Sequence, residues 1–251
     1  MTSDGDVLGQ LPPFAAKTPW WQEVEPVVDA ARDLFGLDVT VLRLLETELP
    51  AAPGGAVTYL AEVDRRAMTR ASPPVELRSW DGVLAEDRLR RPYARPGGPA
   101  ADLAWADGIL AARGVVRNAE AEQVRTWNLS SLWRLPTRDG TAWLKVVPPL
   151  YAHEGALLEQ LSGEAVPQLL GRDRERMLLA EIPGEDQYDA PLPELLQMVD
   201  ILVDLQCRSL DRNDALLDLG LHDWRGSALS RAFADVVGRS GPDLDNDDRS
   251  S

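Results

Sequence analysis

The chain has 251 residues, a net charge of −15, 44% hydrophobic residues and one cysteine. The negative charge argues against nucleic acid and anionic membrane surfaces as partners, and no apolar run approaches the roughly 20 residues of a membrane span. Cys207 cannot form an internal disulfide and no signal peptide is visible, so we expect a cytoplasmic protein.

The first part of the sequence predicts a flexible tail, residues 1–17, and then a small α+β region, residues 18–83. Thr18-Pro19 is typical of an N-cap followed by proline in the first helical turn, which predicts a helix from there to Gly36 with a kink at Pro26. Strands of a small antiparallel sheet are predicted at residues 39–45, 57–63 and 75–80.

Residues 84–120 are predicted to form a linker and a helix. Residues 84–99 are rich in arginine, proline and glycine, and arginines cluster at positions 88, 90, 91 and 95. A phosphate site is one interpretation of this cluster, but we favour a solvated basic loop on an acidic protein. The helix is predicted over residues 100–113, before Gly114.

Residues 121–184 have a different pattern, in which strands and one helix alternate. Strands are predicted at residues 122–127, 131–136, 141–147, 166–170 and 177–181, and Arg138-Asp139-Gly140 supplies a tight hairpin turn. A helix is predicted from Glu154 to near Gly163, and Pro183-Gly184 breaks the chain after the last strand. Helices follow at 192–210 and 228–237, with a polar, acidic end at 243–251. The predicted fold class is α+β.

The most informative residue is Lys145, which interrupts the apolar strand Trp143–Val147 and is one of only two lysines. Glu154 follows nine residues later, at the start of a helix whose leucines lie at i+3, i+4 and i+7, so it belongs to the apolar face. A single charge on an apolar strand or helix face costs desolvation energy. The cost is offset if the two charges pair with each other or if one of them binds a ligand. Protein kinases hold nucleotide phosphates with a strand lysine paired to a helix glutamate.

Four segments are distinctive in their exact amino-acid sequence as well as in their order of predicted elements: Thr126–Leu135 (TWNLSSLWRL), Trp143–Pro149 (WLKVVPP), His153-Glu154 and Leu178–Asp186 (LLAEIPGED). In this order they resemble aminoglycoside phosphotransferase-like proteins, over less than half the chain. The resemblance implies a kinase-like small lobe and hinge over residues 121–184, and a partial helical large lobe over residues 185–251. It also implies ATP as the cofactor, with magnesium in a complete family member.

The resemblance implies a role for each of several residues. Lys145 would hold the α- and β-phosphates, and Glu154 would orient it. The loop over the phosphates would be Asn128–Ser131, with Asn128, Ser130 and Ser131 in place of glycines. Glu181 and Ile182 would present hinge backbone groups to adenine, because Pro183 has no N–H.

Each of these residues also has a structural interpretation. Lys145 could extend its ammonium from an edge strand to solvent, and Glu154 could be favoured by the helix dipole alone. Ser130 and Ser131, taken singly, are typical turn residues. The joint order of the elements favours the kinase-like interpretation over these separate ones.

The resemblance stops before the chemistry of phosphoryl transfer. The family's His-Gly-Asp…Asn loop and later metal-binding aspartate have no counterpart in this sequence. His222-Asp223 lacks the glycine and the following asparagine, and a capping role for Asp223 before the next helix is favoured. No catalytic residue and no metal ligand is therefore assigned, and we expect either a fragment or a naturally shortened product, which binds nucleotide at most.

Two functions from different classes remain. The first is a small-molecule kinase, cut short, whose relatives phosphorylate hydroxyls of aminoglycosides, other amino sugars, choline-like alcohols or homoserine-like substrates. The second is a non-catalytic binding or regulatory module in which residues 18–80, with Trp20 and Trp21, do the work and the kinase-like lobe is a scaffold. Apolar surface on the 192–210 and 228–237 helices further predicts a homodimer or self-association.

Overall fold

The computed structural model describes residues 1–3, 5–70 and 75–247, which form a mixed α+β chain with two β-sheets, in agreement with the predicted class. The chain divides into two compact units, residues 1–188 and 189–251. The first unit contains β1 (Thr2–Ser3), β2 (Asp6–Val7), α1 (Glu25–Phe35), β3 (Val39–Thr47), β4 (Val57–Val63), α2 (Arg65–Arg70), α3 (Gly98–Ala112), β5 (Glu122–Trp127), β6 (Ser130–Thr137), β7 (Gly140–Val146), α4 (Glu154–Gln160), β8 (Leu169–Asp173) and β9 (Arg176–Ala180). The second contains α5 (Leu192–Ser209), α6 (Asn213–Asp218) and α7 (Gly226–Asp247).

The first sheet has the strand order β2-β1-β4-β3 and packs against α1. β3 pairs antiparallel with β4, while the short β1 lies parallel to β4. Small and β-branched side chains fill the space between helix and sheet, so the two approach closely. The buried residues are Val24, Val28, Ala31, Leu37, Val39, Val41, Ala61 and Val63.

Helix α1 begins at Glu25, which corrects the predicted start at Thr18-Pro19. Pro26 stands in the first turn, where a missing N–H breaks no intrahelical bond, and so it starts the helix instead of kinking it. The Thr18 hydroxyl accepts a hydrogen bond from the backbone N–H of Trp20 at 3.1 Å, within a turn that precedes the helix.

Residues near the N-terminus are packed, which corrects the expectation of a flexible tail over residues 1–17. Thr2 is buried and pairs with Glu62 of β4. Leu11 and Phe14 pack on the core of the first sheet, and the rings of Phe14 and Phe35 make an edge contact at 5.6 Å. The apolar residues that hold this segment are not regularly spaced in the sequence, so no helix or strand period predicted its packing.

The strand predicted at residues 75–80 is also absent. In its place Arg78 forms a single bridge with Gln10, through two backbone hydrogen bonds of 2.8 and 2.9 Å. One bridge satisfies the local backbone groups without a continuous ladder.

The second sheet is antiparallel, with the strand order β5-β6-β7-β9-β8. The hairpin between β6 and β7 turns at Arg138-Asp139, as predicted, with Thr137 opposite Gly140. α4 lies between β7 and β8 in the chain and contacts β8. One face of the sheet is covered by α3, through a core of Ala106 and Leu110 with Leu135, Ala142, Leu144 and Leu178.

The segment predicted as a linker, residues 84–99, is partly built into this core. Tyr93 is buried there, in a short 3₁₀-helix at Pro92–Ala94, and α3 already begins at Gly98. The Cβ that any other residue would add at Gly98 would lie 1.8 Å from the Pro92 carbonyl oxygen. Glycine therefore allows the 3₁₀-helix and α3 to pack together.

The regions predicted separately as 18–83 and 121–184 belong to one unit, because β5 is joined to both. The buried side chain of Gln123 accepts a hydrogen bond from the Val41 N–H at 2.8 Å and donates one to the Val41 carbonyl at 2.7 Å. Val24 and Thr126 donate backbone hydrogen bonds to Val124 and Gln22, at 3.1 and 3.0 Å. These hydrogen bonds join the two predicted regions, so the predicted domain boundary between them is not present.

The second unit is helical, and its predicted helices are present. α5 matches the predicted 192–210 helix closely, and α7 extends the predicted 228–237 helix in both directions. No helix among the described residues combines the length and apolar character needed to cross a bilayer. The end predicted as frayed, 243–251, belongs to α7 as far as Asp247, and its last four positions lie outside the described residues.

Candidate functional site: the Lys145 face of the second sheet

Lys145 and Glu154 meet. The Lys145 ammonium donates a hydrogen bond to Oε1 of Glu154, so the charge of β7 is paired with the first residue of α4. The two side chains are 30% and 31% exposed. This exposure means that the pair is neither sealed in the core nor free in solvent. A lysine has three donor hydrogens, so Lys145 retains capacity for an anionic ligand.

The alternation of β7 explains why Lys145 can reach this position. Ala142, Leu144 and Val146 are buried on the face covered by α3, and Trp143 and Lys145 lie on the opposite face. Leu132 of β6 and Met177 of β9 are the cross-strand neighbours of Lys145. Lys145 therefore lies on a central strand of the sheet, which rules out the interpretation that it extends to solvent from an edge strand.

Helix α4 lies close to the sheet because its second residue is glycine. A Cβ on Gly155 would lie 3.1 Å from side-chain carbons of both Arg172 and Met177. Leu158, one turn further along α4, packs on the small cluster of Val147, Met177 and Leu179. Close packing of this turn holds Glu154 at the level of Lys145.

Trp143 is a site residue that the motif analysis missed. It lies on the same face as Lys145, and its indole N–H donates to Oε2 of Glu181 at 2.7 Å. On the neighbouring strand, the guanidinium carbon of Arg134 lies 5.3 Å from the centre of the indole ring, within cation–π range. Trp143 precedes Lys145 by two residues in a strand, and this spacing could have indicated that the two share a face. The contact with Glu181 is apparent only from the fold.

The hairpin turn between β5 and β6 contains the proposed phosphate loop. Asn128 is exposed in the two-residue turn, and the Ser130 hydroxyl accepts a hydrogen bond from the Trp127 indole at 2.9 Å. Ser130 shares the face of Lys145, two residues along β6 from Leu132. Asn128 and Ser130 therefore lie near the end of the sheet to which Lys145 belongs.

Ser131 lies apart from this group, which corrects its predicted role. It is buried opposite Val146, on the face covered by α3, and its hydroxyl accepts a hydrogen bond from the Trp133 indole at 3.0 Å. The two-residue period of a strand puts Ser131 and Lys145 on opposite faces. Ser131 is a core hydrogen-bond partner and not a phosphate ligand.

The predicted hinge is only partly available. The Glu181 backbone N–H donates to the Thr141 carbonyl at 3.1 Å, which continues the pairing of β7 with β9. That N–H cannot serve a ligand at the same time, and this corrects half of the predicted role. Ile182 is 63% exposed immediately after it.

On the opposite face, Asp102 of α3 forms a second ion pair with Arg176 of β9. Nε of Arg176 lies 2.8 Å from Oδ1 of Asp102, and the Asp102 side chain is 2% exposed. Burial raises the pKa of Asp102, and the attraction of Arg176 opposes the rise. Arg176 also lies 5.8 Å from the centre of the Trp105 ring. We interpret this pair as structural, because it locks α3 to the sheet.

In the second unit, Asp223 is engaged in a local turn before α7, which begins at Gly226. Among the described residues its carboxylate accepts no N–H of that helix, so the predicted helix cap is not formed. Asp223 accepts the Arg225 backbone N–H at 3.0 Å and binds the Arg225 guanidinium through both carboxylate oxygens, at 2.8 and 2.9 Å. These hydrogen bonds lower the pKa of Asp223 to about 2. A carboxylate with so low a pKa is a poor proton acceptor for a substrate hydroxyl.

Comparison with known proteins identified no relative: family models, curated proteins and solved structures all yielded no match. Within the described part of the chain, no group of three or more histidine, cysteine, aspartate or glutamate side chains is arranged to hold a metal ion.

Proposed function

We propose that residues 121–184 are the small lobe of an aminoglycoside phosphotransferase-like small-molecule kinase and that the chain binds a nucleoside triphosphate through Lys145. The observation that carries the proposal is the contact between Lys145 and Glu154 on a partly exposed sheet face. In protein kinases a β3 lysine paired with a glutamate of the following helix holds the nucleotide phosphates. Here Lys145 lies on the third strand of the second sheet, and Glu154 on the helix that follows it.

The proposed binding surface runs from the hairpin turn to the hinge. Lys145 would bind the α- and β-phosphates, with Glu154 holding its ammonium in place. The backbone around Asn128 and the Ser130 hydroxyl would donate to phosphate oxygens. The Glu181 carbonyl and the Ile182 backbone would face the base, since the Glu181 N–H is engaged by Thr141.

Trp143 adds an aromatic surface between the phosphate and hinge ends. Its hydrogen bond to Glu181 fixes the indole in position, and Arg134 occupies one side of the ring. Nucleobases stack on aromatic side chains irrespective of base identity. Trp143 therefore supports binding of the base without selecting between adenine and guanine.

The proposed activity of this chain is binding and not transfer. Phosphoryl transfer needs an aspartate that accepts the substrate proton and side chains that hold magnesium. No His-Gly-Asp…Asn segment occurs in the sequence, and Asp223 is engaged by Arg225. In the proposed family the acceptor is a hydroxyl of a small molecule.

Calorimetric titration with ATP and magnesium tests the proposal. Lys145→Met keeps the aliphatic stem that packs on the sheet and removes the ammonium. We expect saturable binding to the wild type and an affinity at least about tenfold lower in the variant, equivalent to about 1.4 kcal/mol. Glu154→Gln should weaken binding by less, because a hydrogen-bond acceptor remains.

Lys17→Met is the matched control. Lys17 is the chain's other lysine, is exposed, and is not part of the second sheet. It should leave the affinity unchanged. Near-ultraviolet circular dichroism establishes that each variant is folded. Absence of ATP binding to the wild type, or equal affinity in folded Lys145→Met, would contradict the proposal.

A further inference from the structure

A cavity that Lys145 does not line lies in the part of the first unit that precedes α2. It has a volume of about 680 Å³, within the roughly 300–1,000 Å³ typical of small-molecule sites. Its walls come from the segment before α1, from α1 itself and from the β3–β4 hairpin. Trp20, Trp21 and Tyr59 are among the lining side chains.

Hydrogen bonds between these walls hold the cavity open. The Trp21 indole N–H donates to the Gly54 carbonyl at 2.7 Å, and the Gly54 N–H donates to the Pro19 carbonyl at 2.6 Å. The Tyr59 hydroxyl donates to the Trp21 carbonyl at 2.7 Å. The polar ends of two aromatic side chains are thus used within the wall, and their apolar surfaces line the space. A site built in this way loses little entropy when a ligand enters.

The charged side chains that line the cavity are carboxylates. Glu46 and Glu48 border it, and its described lining contains neither lysine nor arginine. Glu48 also accepts the Ala56 N–H at 3.1 Å, which fixes its position on the hairpin. The lining also contains one cationic group, the amino group of Met1, which donates to the Gly9 carbonyl at 2.6 Å. Burial lowers the pKa of this amino group, so two carboxylates outweigh one partly buried ammonium.

Trp20 completes this set of groups. Its side chain is 45% exposed, unusually high for a tryptophan next to an apolar cavity. Trp20, Glu46 and Glu48 line the same cavity, and proteins bind organic cations where an aromatic face and negative charge border one space. An anionic ligand would meet repulsion from both glutamates.

We propose that this cavity binds a small organic cation with an aromatic or alkyl body. The body would occupy the apolar interior, and the cationic head would lie between Trp20 and the carboxylates of Glu46 and Glu48. The binding site is independent of the nucleotide site, since Lys145 and Glu154 do not line the cavity. It gives the N-terminal region a recognition function of its own.

Calorimetry with three probes of similar size tests the charge requirement: benzyltrimethylammonium, benzyl alcohol and phenylacetate. At physiological ionic strength we expect the cation to bind saturably, and the neutral and anionic probes to bind at least about tenfold more weakly. Trp20→Ala should weaken cation binding about tenfold, the loss expected from removal of one partly desolvated cation–π contact. The double variant Glu46→Gln/Glu48→Gln should weaken it similarly, while glutamine retains the acceptor that Ala56 needs.

Glu76→Gln is the control for the general attraction of a protein of charge −15, because Glu76 is exposed and does not line the cavity. It should leave cation affinity unchanged. Equal affinity for all three probes, equal loss in Glu76→Gln and in the double variant, or no binding of the cation would overturn the proposal. ATP titration of the same Trp20→Ala protein should be normal, which separates this site from the nucleotide site.

Discussion

Asp102 and Glu154 belong to two of the ion pairs of the second sheet, and these two pairs differ in their burial. Asp102 is 2% exposed and meets Arg176 on the face covered by α3, whereas Glu154 is 31% exposed and meets Lys145 on the other. A sealed pair stabilises the arrangement of α3 and the sheet at a desolvation cost. A partly open pair can bind a ligand. Burial, and not residue type, separates the structural pair from the candidate site.

The raised pKa of Asp102 predicts a specific pH dependence of stability. Because the folded pKa lies above the ordinary 3.8, the folded protein binds the Asp102 proton more tightly than the unfolded chain does. The contribution of Asp102 to the free energy of unfolding should therefore increase as pH falls through the folded pKa, and level off below the unfolded value. Urea unfolding of wild type and Asp102→Asn, from neutral pH to about 4, measures the difference.

We expect the stability of the wild type relative to Asp102→Asn to rise over this range as pH falls. Asp102→Ala also lacks the titrating group, so it should reproduce the trend although its absolute stability differs. A relative stability that stays constant or falls with decreasing pH would contradict the prediction. Other carboxylates are common to all three proteins, and their titration cancels in the comparison.

Helix α4 shows how an element positions a functional side chain through a residue that does no chemistry. Its periodicity predicted a helix at Glu154 and an apolar face with Leu158. The sequence did not indicate why Gly155 follows Glu154. The structure shows that a side chain there would meet Arg172 and Met177. The distance between α4 and the sheet, and so the reach of Glu154 to Lys145, depends on that glycine.

Two glycine-to-alanine changes in helices test this role. At Gly108 of α3 nothing lies within 4 Å of an added Cβ, so Gly108→Ala should stabilise the protein by roughly 0.5–1 kcal/mol through helix propensity. At Gly155 the tight contacts should cancel or reverse that gain. Thermal unfolding measures both, and a clear stabilisation by Gly155→Ala would show that α4 is not held by this close approach.

A larger residue at the same position connects packing to ligand binding. Gly155→Val should destabilise the protein by roughly 1–3 kcal/mol, as overpacking does, and displace Glu154 from Lys145. ATP affinity should fall with it, although neither charged residue is changed. A folded Gly155→Val protein with unaltered ATP affinity would show that the pair tolerates displacement of α4.

The whole chain consists of two units with very different interiors. The first has three clusters of buried hydrophobic residues. In the second, no described side chain between residues 189 and 238 is buried, and most apolar residues of α5 are exposed. Those of α5 include Leu192, Leu196, Met198, Val199, Ile201 and Leu202. Self-association stays a prediction, which size-exclusion chromatography at several concentrations would test.

Hydrogen exchange should distinguish the two units in one measurement. Local stability follows buried contacts, so backbone amides of β6 and β7 should exchange at least about 100-fold more slowly than those of α5. Dilution of the protein should accelerate exchange in α5 if a second copy protects it. Equal protection of α5 and the second sheet in dilute protein would contradict the prediction.

The local patterns of the sequence were sufficient to predict β5, β6, β7 and β9, the Arg138-Asp139 turn, α5, and Lys145 and Glu154 as opposite charges in apolar settings. The strand predicted at residues 166–170 lies three residues later, as β8 at Leu169–Asp173. These features depend on residues close in the chain, and strand or helix period decides which face each side chain takes. The packing of Thr2, Leu11 and Phe14, the start of α1 at Glu25, the bridging role of Gln123, the engagement of Ser131 and Glu181, and the Trp143–Glu181 contact required the tertiary structure. The partners of Gln123, Glu181 and Trp143 lie tens of residues away in the chain. Ser131 has a nearby partner in Trp133, but it is buried because α3 covers its face of the sheet. A one-dimensional pattern carries no information about which distant groups a polar atom will meet.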